Sequence, residues 1–171
     1  MRTSLFITLV FFCTLSFGQE SGKFSYKNSI QLELFGHGSF YSLNYERVIF
    51  NGERFKTLGQ AGIAYYTEQS GVIPLWIPLS VNQLFSFHSN HIEVGLGQII
   101  INDRLPDGTD NFRLFGGFKA GYRYQKPDGR ILIKAAFTPL IDYSSSFDRE
   151  NFGVYVTEFI PWGGLTFGYN F

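Results

Sequence analysis

Period-two alternation of side chains is the feature that most restricts the fold of this chain. At the C-terminus, apolar side chains occupy every second position, at Leu165, Phe167, Tyr169 and Phe171. Successive side chains of a β-strand point to opposite faces, so this segment is predicted to be a strand with one apolar face. It ends on an aromatic residue, whereas the ends of soluble domains are usually polar and poorly ordered.

The same alternation recurs along the chain, and no segment after residue 19 shows a helical period. It predicts eight strands, at roughly 29–36, 39–48, 57–66, 75–85, 90–99, 112–125, 130–139 and 162–171. Their lengths are close to the 9–11 residues, approximately, that a tilted strand needs to cross a bilayer. The pattern therefore predicts an all-β fold, an eight-stranded antiparallel up-and-down transmembrane β-barrel.

The connections indicate how such a barrel is arranged. An even number of strands brings both termini to one end, together with tight turns such as Lys126-Pro127-Asp128-Gly129. The two longest polar stretches, 100–111 and 140–161, are then predicted to be loops at the opposite end. Pro74 and Pro78 are predicted to interrupt the pairing of the fourth strand, because proline has no N–H for the ladder.

The N-terminus has the layout of a cleaved signal peptide. Arg2 precedes an almost unbroken apolar run from Leu5 to Leu15, and small residues precede Gln19. The run is shorter than the roughly 20 residues of a membrane-spanning helix. We therefore predict a signal peptide at residues 1–19 and one barrel domain at residues 20–171. Cys13 is the only cysteine, so the mature chain is predicted to contain no disulfide.

Charged residues on the polar faces indicate which face points outward. Seven of them form the predicted lumenal charge network: Glu33, Glu46, Glu93, Arg113, Lys119, Arg123 and Lys134. A lipid-facing Lys or Arg near mid-membrane would cost about 2–4 kcal/mol, whereas side chains fill the interior of an eight-stranded barrel. The alternative is a secreted lipid-binding barrel, which is polar outside. With charges inside, a soluble barrel would expose more apolar surface than the few hundred Å² that monomers normally tolerate.

The composition agrees with a membrane barrel. Phe, Tyr and Trp make up 19% of the chain, and 19 Gly provide small interior residues. Tyr and Trp near the predicted strand ends are expected to anchor the barrel at the two interfaces: Tyr41, Tyr45, Tyr65, Tyr66, Trp76, Tyr122, Tyr124, Trp162 and Tyr169. The formal net charge is zero and no basic block occurs, so nucleic acid is not an expected partner.

Three segments resemble small outer-membrane β-barrel proteins typical of Bacteroidetes, most of which have no assigned activity. They are residues 33–47, with Glu33-Leu34-Phe35-Gly36-His37-Gly38; residues 121–129, with Gly121-Tyr122-Arg123-Tyr124; and residues 134–140, with Phe137-Thr138-Pro139. The C-terminal strand also resembles the insertion signal of such barrels, carried here by Gly164, Phe167, Tyr169 and Phe171. The resemblance implies an eight-stranded outer-membrane barrel and no particular reaction.

Histidines are the main candidates for site chemistry. His88, Ser89, His91 and Glu93 lie within six residues, and an imidazole can activate a hydroxyl for acyl transfer. However, a strand would aim the adjacent His88 and Ser89 to opposite faces, and their spacing enforces no metal site. His37 lies in a short turn. No catalytic, cofactor-binding or metal-binding residue is therefore predicted.

The sequence thus predicts a Gram-negative outer-membrane barrel with a structural or surface-interaction role and no enzymatic activity. The alternatives are an outer-membrane enzyme acting on acyl chains of lipid A or phospholipid, and then a narrow channel, which a filled lumen disfavours. The expected partners are outer-membrane lipids, lipopolysaccharide and, during insertion, the barrel-assembly machinery. The barrel is expected to be a monomer without cofactors.

Overall fold

A computed structural model describes residues 22–38, 40–65, 73–104, 110–142, 147–148, 153–154 and 158–171, so the predicted signal peptide lies outside the described residues. The regular elements are β1 (Asn28–Phe35), β2 (Tyr41–Asn51), β3 (Phe55–Tyr65), β4 (Ile73–Phe87), β5 (Asn90–Arg104), β6 (Asp110–Gln125), β7 (Ile131–Phe137), β8 (Leu140–Asp142), β9 (Phe147–Asp148), β10 (Gly153–Val154), β11 (Glu158–Ile160) and β12 (Gly163–Asn170). None of the described residues belongs to a helix that could cross a membrane.

The strands close into a barrel by antiparallel pairing. Consecutive strands pair from β1 to β7, and β12 closes the circle because it pairs with both β7 and β1. A closed up-and-down barrel requires the last strand to pair with the first, and the pairs Ile30–Tyr169, Leu32–Phe167 and Leu34–Leu165 do so. The prediction of an all-β, eight-stranded antiparallel barrel is therefore confirmed.

The seventh and eighth strands of the barrel are each built from two short elements. β8 continues the register of β7 along β6, and β11 continues the register of β12 along β8. Pro139 and Pro161 stand at the two interruptions, where a proline cannot donate to the ladder. The amide of Thr138 still donates to the carbonyl of Trp162 at 2.8 Å, which joins the two strands across the gap.

The pairing defines the stagger of the barrel. When the pairs are followed once around the barrel, the path starts at Asn170 and ends at Ile160, ten residues away on the same barrel strand. The paired residues between them are, in order, Ser29, Glu46, Gln60, Ser80, Gly97, Gly117 and Leu140. With about 3.3 Å per residue and about 4.8 Å between strands, this stagger corresponds to a tilt of about 40°. Closed barrels of eight strands have such a tilt.

The alternation places apolar side chains outside and polar ones inside. Leu96 on the outer wall is 75% exposed, whereas Arg123 on the inner wall is 1% exposed. The outer wall carries Ile, Leu, Val, Phe and Tyr on all eight barrel strands, including Ile30, Leu43, Ile63, Val81, Phe118, Ile133 and Phe167. We call this surface the apolar belt.

Three predictions about element bounds and aromatic positions were wrong. The predicted loop 100–111 is shorter, because β5 extends to Arg104 and β6 begins at Asp110. The predicted loop 140–161 is also shorter, because β8 pairs with β11. Trp76 and Trp162 do not anchor the outer surface; they pack against an interior apolar cluster formed by Ile99, Ile101, Phe115 and Leu140.

Local irregularities occur at two places. The β3–β4 ladder lacks the pairs between Ala61–Leu79 and Ala64–Trp76, beside Pro78, which confirms the predicted interruption. The β2–β3 register shifts between Val48 and Phe50, so a bulge lies at Ile49.

Candidate functional site in the barrel lumen

A cluster of buried charges occupies the middle of the lumen, and Glu46 is its best-paired member. Its carboxylate lies 2.8 Å from Nη1 of Arg123 and 2.7 Å from Nζ of Lys134. The side-chain amide of Gln31 donates a further hydrogen bond to it at 2.8 Å. All of these residues are buried, so their charges compensate each other within the barrel rather than through solvent.

Glu93 faces the same cations at longer distances. Its carboxylate oxygens lie 3.6 Å from Lys134, 3.7 Å from Arg123 and 3.9 Å from Lys119. Neither oxygen accepts a hydrogen bond within the described part of the chain. These separations exceed the hydrogen-bond range, so Glu93 is attracted by its neighbours' charges without a direct hydrogen bond to them. Glu93 is thus paired electrostatically, but less closely than Glu46.

Two further members of the predicted charge network lie away from this cluster. Glu33 is buried and accepts hydrogen bonds from the Ser42 hydroxyl at 3.1 Å and from the Asn44 amide at 3.3 Å. Arg113 lies on β6 beyond Phe115, with its guanidinium 5.8 Å from that ring. The structure therefore brings together Glu46, Glu93 and the cations of residues 119, 123 and 134, and it places Glu33 and Arg113 elsewhere.

A hydroxyl–imidazole pair that the sequence analysis missed lies nearer the end that carries the termini. His91 Nε2 donates to the carbonyl of Gln125 at 2.9 Å, so Nδ1 is left to accept from the Ser86 hydroxyl at 2.8 Å. Lys56 donates to the same hydroxyl at 3.0 Å. The signal for this pair was the two-residue turn at His88-Ser89, since such a hairpin sets Ser86 opposite His91. His88 itself is exposed in the turn.

The N-terminal segment covers this pair and closes one end of the lumen. Phe24 is 3% exposed, and its ring meets His91 edge-on at 5.2 Å and Lys56 at 4.7 Å. Two reciprocal hydrogen bonds between the Phe24 backbone and the Asn51 side chain, at 3.0 and 2.8 Å, hold the segment in place. Ser86 and His91 are therefore both buried, at 4% and 1% exposure. The sequence signal was two aromatic residues, Phe24 and Tyr26, in an otherwise polar segment.

The turn between β1 and β2 folds into the other end of the lumen. His37 is 3% exposed and lies against β5 and β6, where a Cβ on Gly97 or Gly117 would come within 3.0–3.1 Å of its ring. Gly36 has a φ of +83°, a backbone conformation that residues with a Cβ rarely adopt. Nε2 of His37 has no hydrogen-bond partner among the described residues. The turn therefore acts as a plug inside the barrel.

Burial lowers the pKa of His37, which lies in the turn outside the strands. Desolvation is the main cause, and the Lys119 charge adds to it; together they bring the pKa from 6.5 to about 4. The neutral imidazole is therefore the form of His37 that the folded turn favours. Between pH 6.5 and pH 4, an unfolded chain binds a proton at this position and the folded barrel does not.

The stability contributed by a neutral His37 is expected to be present above pH 6.5 and to be lost as the pH falls to about 4. The loss corresponds to roughly 3 kcal/mol, because each unit of pKa difference is worth about 1.4 kcal/mol. Urea unfolding in detergent micelles at several pH values, followed by Trp fluorescence, measures this loss. His37→Gln keeps a polar side chain without the titration, so its profile is expected to lack this contribution. Identical pH profiles for both proteins would contradict the assignment.

The residues of the predicted insertion signal lie on β12 and just after it. Phe167, Tyr169 and Phe171 are each about half exposed on the apolar belt, and Gly164 lies opposite Phe35. The backbone of Phe171 exchanges hydrogen bonds with Asn28 at 2.9 and 3.3 Å. The last residue thus belongs to the wall of the barrel.

Within the described residues, no group of three or more His, Cys, Asp or Glu side chains could hold a metal ion. Comparison of the chain with protein-family models, with curated proteins and with solved structures finds no match to any of them.

Proposed function

We propose that this chain is an outer-membrane β-barrel protein of a Gram-negative bacterium, with a structural or surface-interaction role and a sealed lumen. The observation that carries the proposal is the distribution of polarity, which is the reverse of that in a soluble protein. The apolar belt surrounds the barrel, while Glu46, Arg123 and Lys134 are buried inside it. A lipid environment matches the outer wall, and an apolar wall of this extent is atypical of a monomer in water.

The contents of the lumen support a role other than conduction. Phe24 fills the end at the termini, the ion cluster fills the middle and the His37 turn fills the opposite end. An eight-stranded barrel is just wide enough for such side chains, so a continuous water path would need at least one of these groups to move. The Ser86–His91 pair lies inside the barrel rather than on its lipid-facing wall, which disfavours the alternative of an enzyme acting on membrane lipids.

The connections at the end opposite the termini are the proposed contact surfaces. They follow β3, β5 and β8, and in outer-membrane barrels the longer connections face the cell exterior. The proposal includes export by a cleaved signal peptide and membership of the Bacteroidetes barrels that residues 33–47 and 121–129 resemble. Under it, outer-membrane lipids surround the belt, and the barrel-assembly machinery inserts the chain.

The test is to refold purified residues 20–171 with and without phosphatidylcholine vesicles. We expect aggregation without lipid or detergent, and a folded form in vesicles whose electrophoretic mobility changes on heating. In planar bilayers the inserted protein is expected to give no steady conductance. A monomeric, soluble protein in plain buffer would contradict the membrane assignment, and stepwise conductance in most insertions would contradict the sealed lumen.

A further inference from the structure

The two ends of the barrel differ strongly in charge. The end that carries the termini has six exposed cations against the exposed acids Glu53 and Asp128: Lys23, Lys27, Arg47, Arg54, Lys126 and Arg130. At the opposite end, the described ends of β5, β6, β8 and β11 hold the acidic residues Asp103, Asp110, Asp142 and Glu158 against the single cation Arg104. Although the net formal charge is zero, positive and negative side chains are therefore concentrated at opposite ends of the barrel.

Tertiary contacts gather four of these cations from two distant segments. The amide of Ser25 donates to the carbonyl of Pro127 at 2.8 Å, so the N-terminal segment lies along the turn between β6 and β7. This contact brings Lys23 and Lys27 to the side of the barrel that carries Lys126 and Arg130. We call these four residues the basic rim. Within the described part of the chain, no ion pair joins any of them to a carboxylate.

Within the basic rim, Arg130 contacts two tyrosine side chains. Its Nη1 donates to the Tyr169 hydroxyl at 2.7 Å, and its guanidinium lies 5.0 Å from the Tyr26 ring and 5.8 Å from the Tyr169 ring. The side chain is nevertheless exposed. Planar guanidinium groups suit phosphate oxygens, and aromatic rings that fix the side chain reduce the entropy lost on binding.

The basic rim directly adjoins the apolar belt. Arg130 precedes Ile131, which is 67% exposed on the outer wall, and it contacts Tyr169, which belongs to the apolar belt. In a bilayer, cations at this height lie at the level of lipid phosphates, which attract basic side chains next to a spanning segment. A soluble acidic partner would not require the cations to border the lipid-facing wall in this way.

We propose that the basic rim binds the phosphate headgroups of anionic phospholipids in the leaflet that surrounds the termini. This inference rests on the proposed membrane location and adds a lipid class and a site. Because the opposite end is acidic, the same interaction also favours one orientation of the barrel, with its termini at the anionic leaflet.

The test compares two spin-labelled lipids, phosphatidylglycerol and phosphatidylcholine, in vesicles that contain the full folded barrel. Electron paramagnetic resonance measures the fraction of each lipid that the protein immobilises. We expect the barrel to prefer phosphatidylglycerol by about fivefold, the effect of one well-placed cation near an anionic surface. The preference is expected to disappear in about 1 M sodium chloride, where the salt screens interactions between charges more than about 3 Å apart.

Two variants test whether the basic rim causes the preference for phosphatidylglycerol. Replacement of all four rim cations by Gln (K23Q/K27Q/K126Q/R130Q) is expected to bring the preference close to one. The matched control E53Q/D128N removes the neighbouring acids and is expected to raise the preference. Retention of the wild-type preference by the fourfold variant, or displacement of the lipid by millimolar glycerol phosphate, would overturn the proposal.

The outcomes separate this inference from the proposed function. If both lipids are immobilised equally by the wild-type barrel, the rim proposal fails while the membrane location stands. If neither lipid is immobilised by correctly folded protein, both proposals fail.

Discussion

Glu46→Ala is expected to lower the free energy of unfolding by about 3–5 kcal/mol. The substitution removes the carboxylate that pairs with Arg123 and Lys134, and it leaves two buried cations without their closest partner. Glu93 stays 3.6–3.7 Å from the same two cations, so one carboxylate remains there in place of two. Urea unfolding of the barrel in detergent micelles, followed by Trp fluorescence, measures the change.

Two further variants test the cause of that loss. Lys134→Met in the Glu46→Ala background removes one uncompensated charge, so the double variant is expected to be more stable than Glu46→Ala alone. Glu53→Ala removes an exposed acid and is expected to change stability by no more than about 0.5 kcal/mol. A loss for Glu46→Ala as small as that for Glu53→Ala would mean that the lumenal ion pairs do not stabilise the fold.

Leu96→Arg is expected to lower the stability of the barrel in phosphatidylcholine vesicles by about 2–4 kcal/mol. Leu96 is 75% exposed and lies in the middle of the apolar belt, opposite Val81 and Phe118. An arginine at the bilayer midplane carries this cost because its charge must be desolvated. On a wall that faces water, the same change is usually worth no more than about 0.5 kcal/mol.

Ile131→Arg is the matched control for depth. Ile131 is 67% exposed on the same belt, but it lies next to Arg130 at the edge of the barrel wall. An arginine near the interface costs only about 0–1 kcal/mol. Equal and small effects of both substitutions would show that the belt does not face lipid.

Strand prediction worked where the two faces of a strand differ in polarity. On β1 and β12, apolar residues alternate with polar or small residues along almost the whole element, and the same holds for β2 from Tyr41 to Glu46. The predicted bounds of these three strands match the observed ones within a few residues. Prediction of β5 stopped at residue 99 because the alternation ends there: Ile99, Ile100 and Ile101 are consecutive apolar residues. The inner face at that position is apolar as well, since Ile99 and Ile101 belong to the interior cluster.

The local sequence pattern did not predict which segments close the two ends of the lumen. Phe24 and His37 lie in short segments between or before strands, where no periodicity indicates whether a side chain points into the barrel. Their positions depend on contacts with residues far along the chain, such as Asn51 for Phe24 and Gly117 for His37. The same applies to Trp162, which was predicted to be a surface anchor and packs inside.

By itself, the sequence determined the class of fold and the polarity of each face, because strand alternation depends only on neighbouring residues. It also determined which strands pair across the short turns, namely β1 with β2, β2 with β3, β4 with β5 and β6 with β7. Only the tertiary structure decided which charges meet in the lumen, which segments close it and where the exposed cations gather. These features depend on the stagger of the strands around the closed barrel, which sets the depth at which each side chain lies.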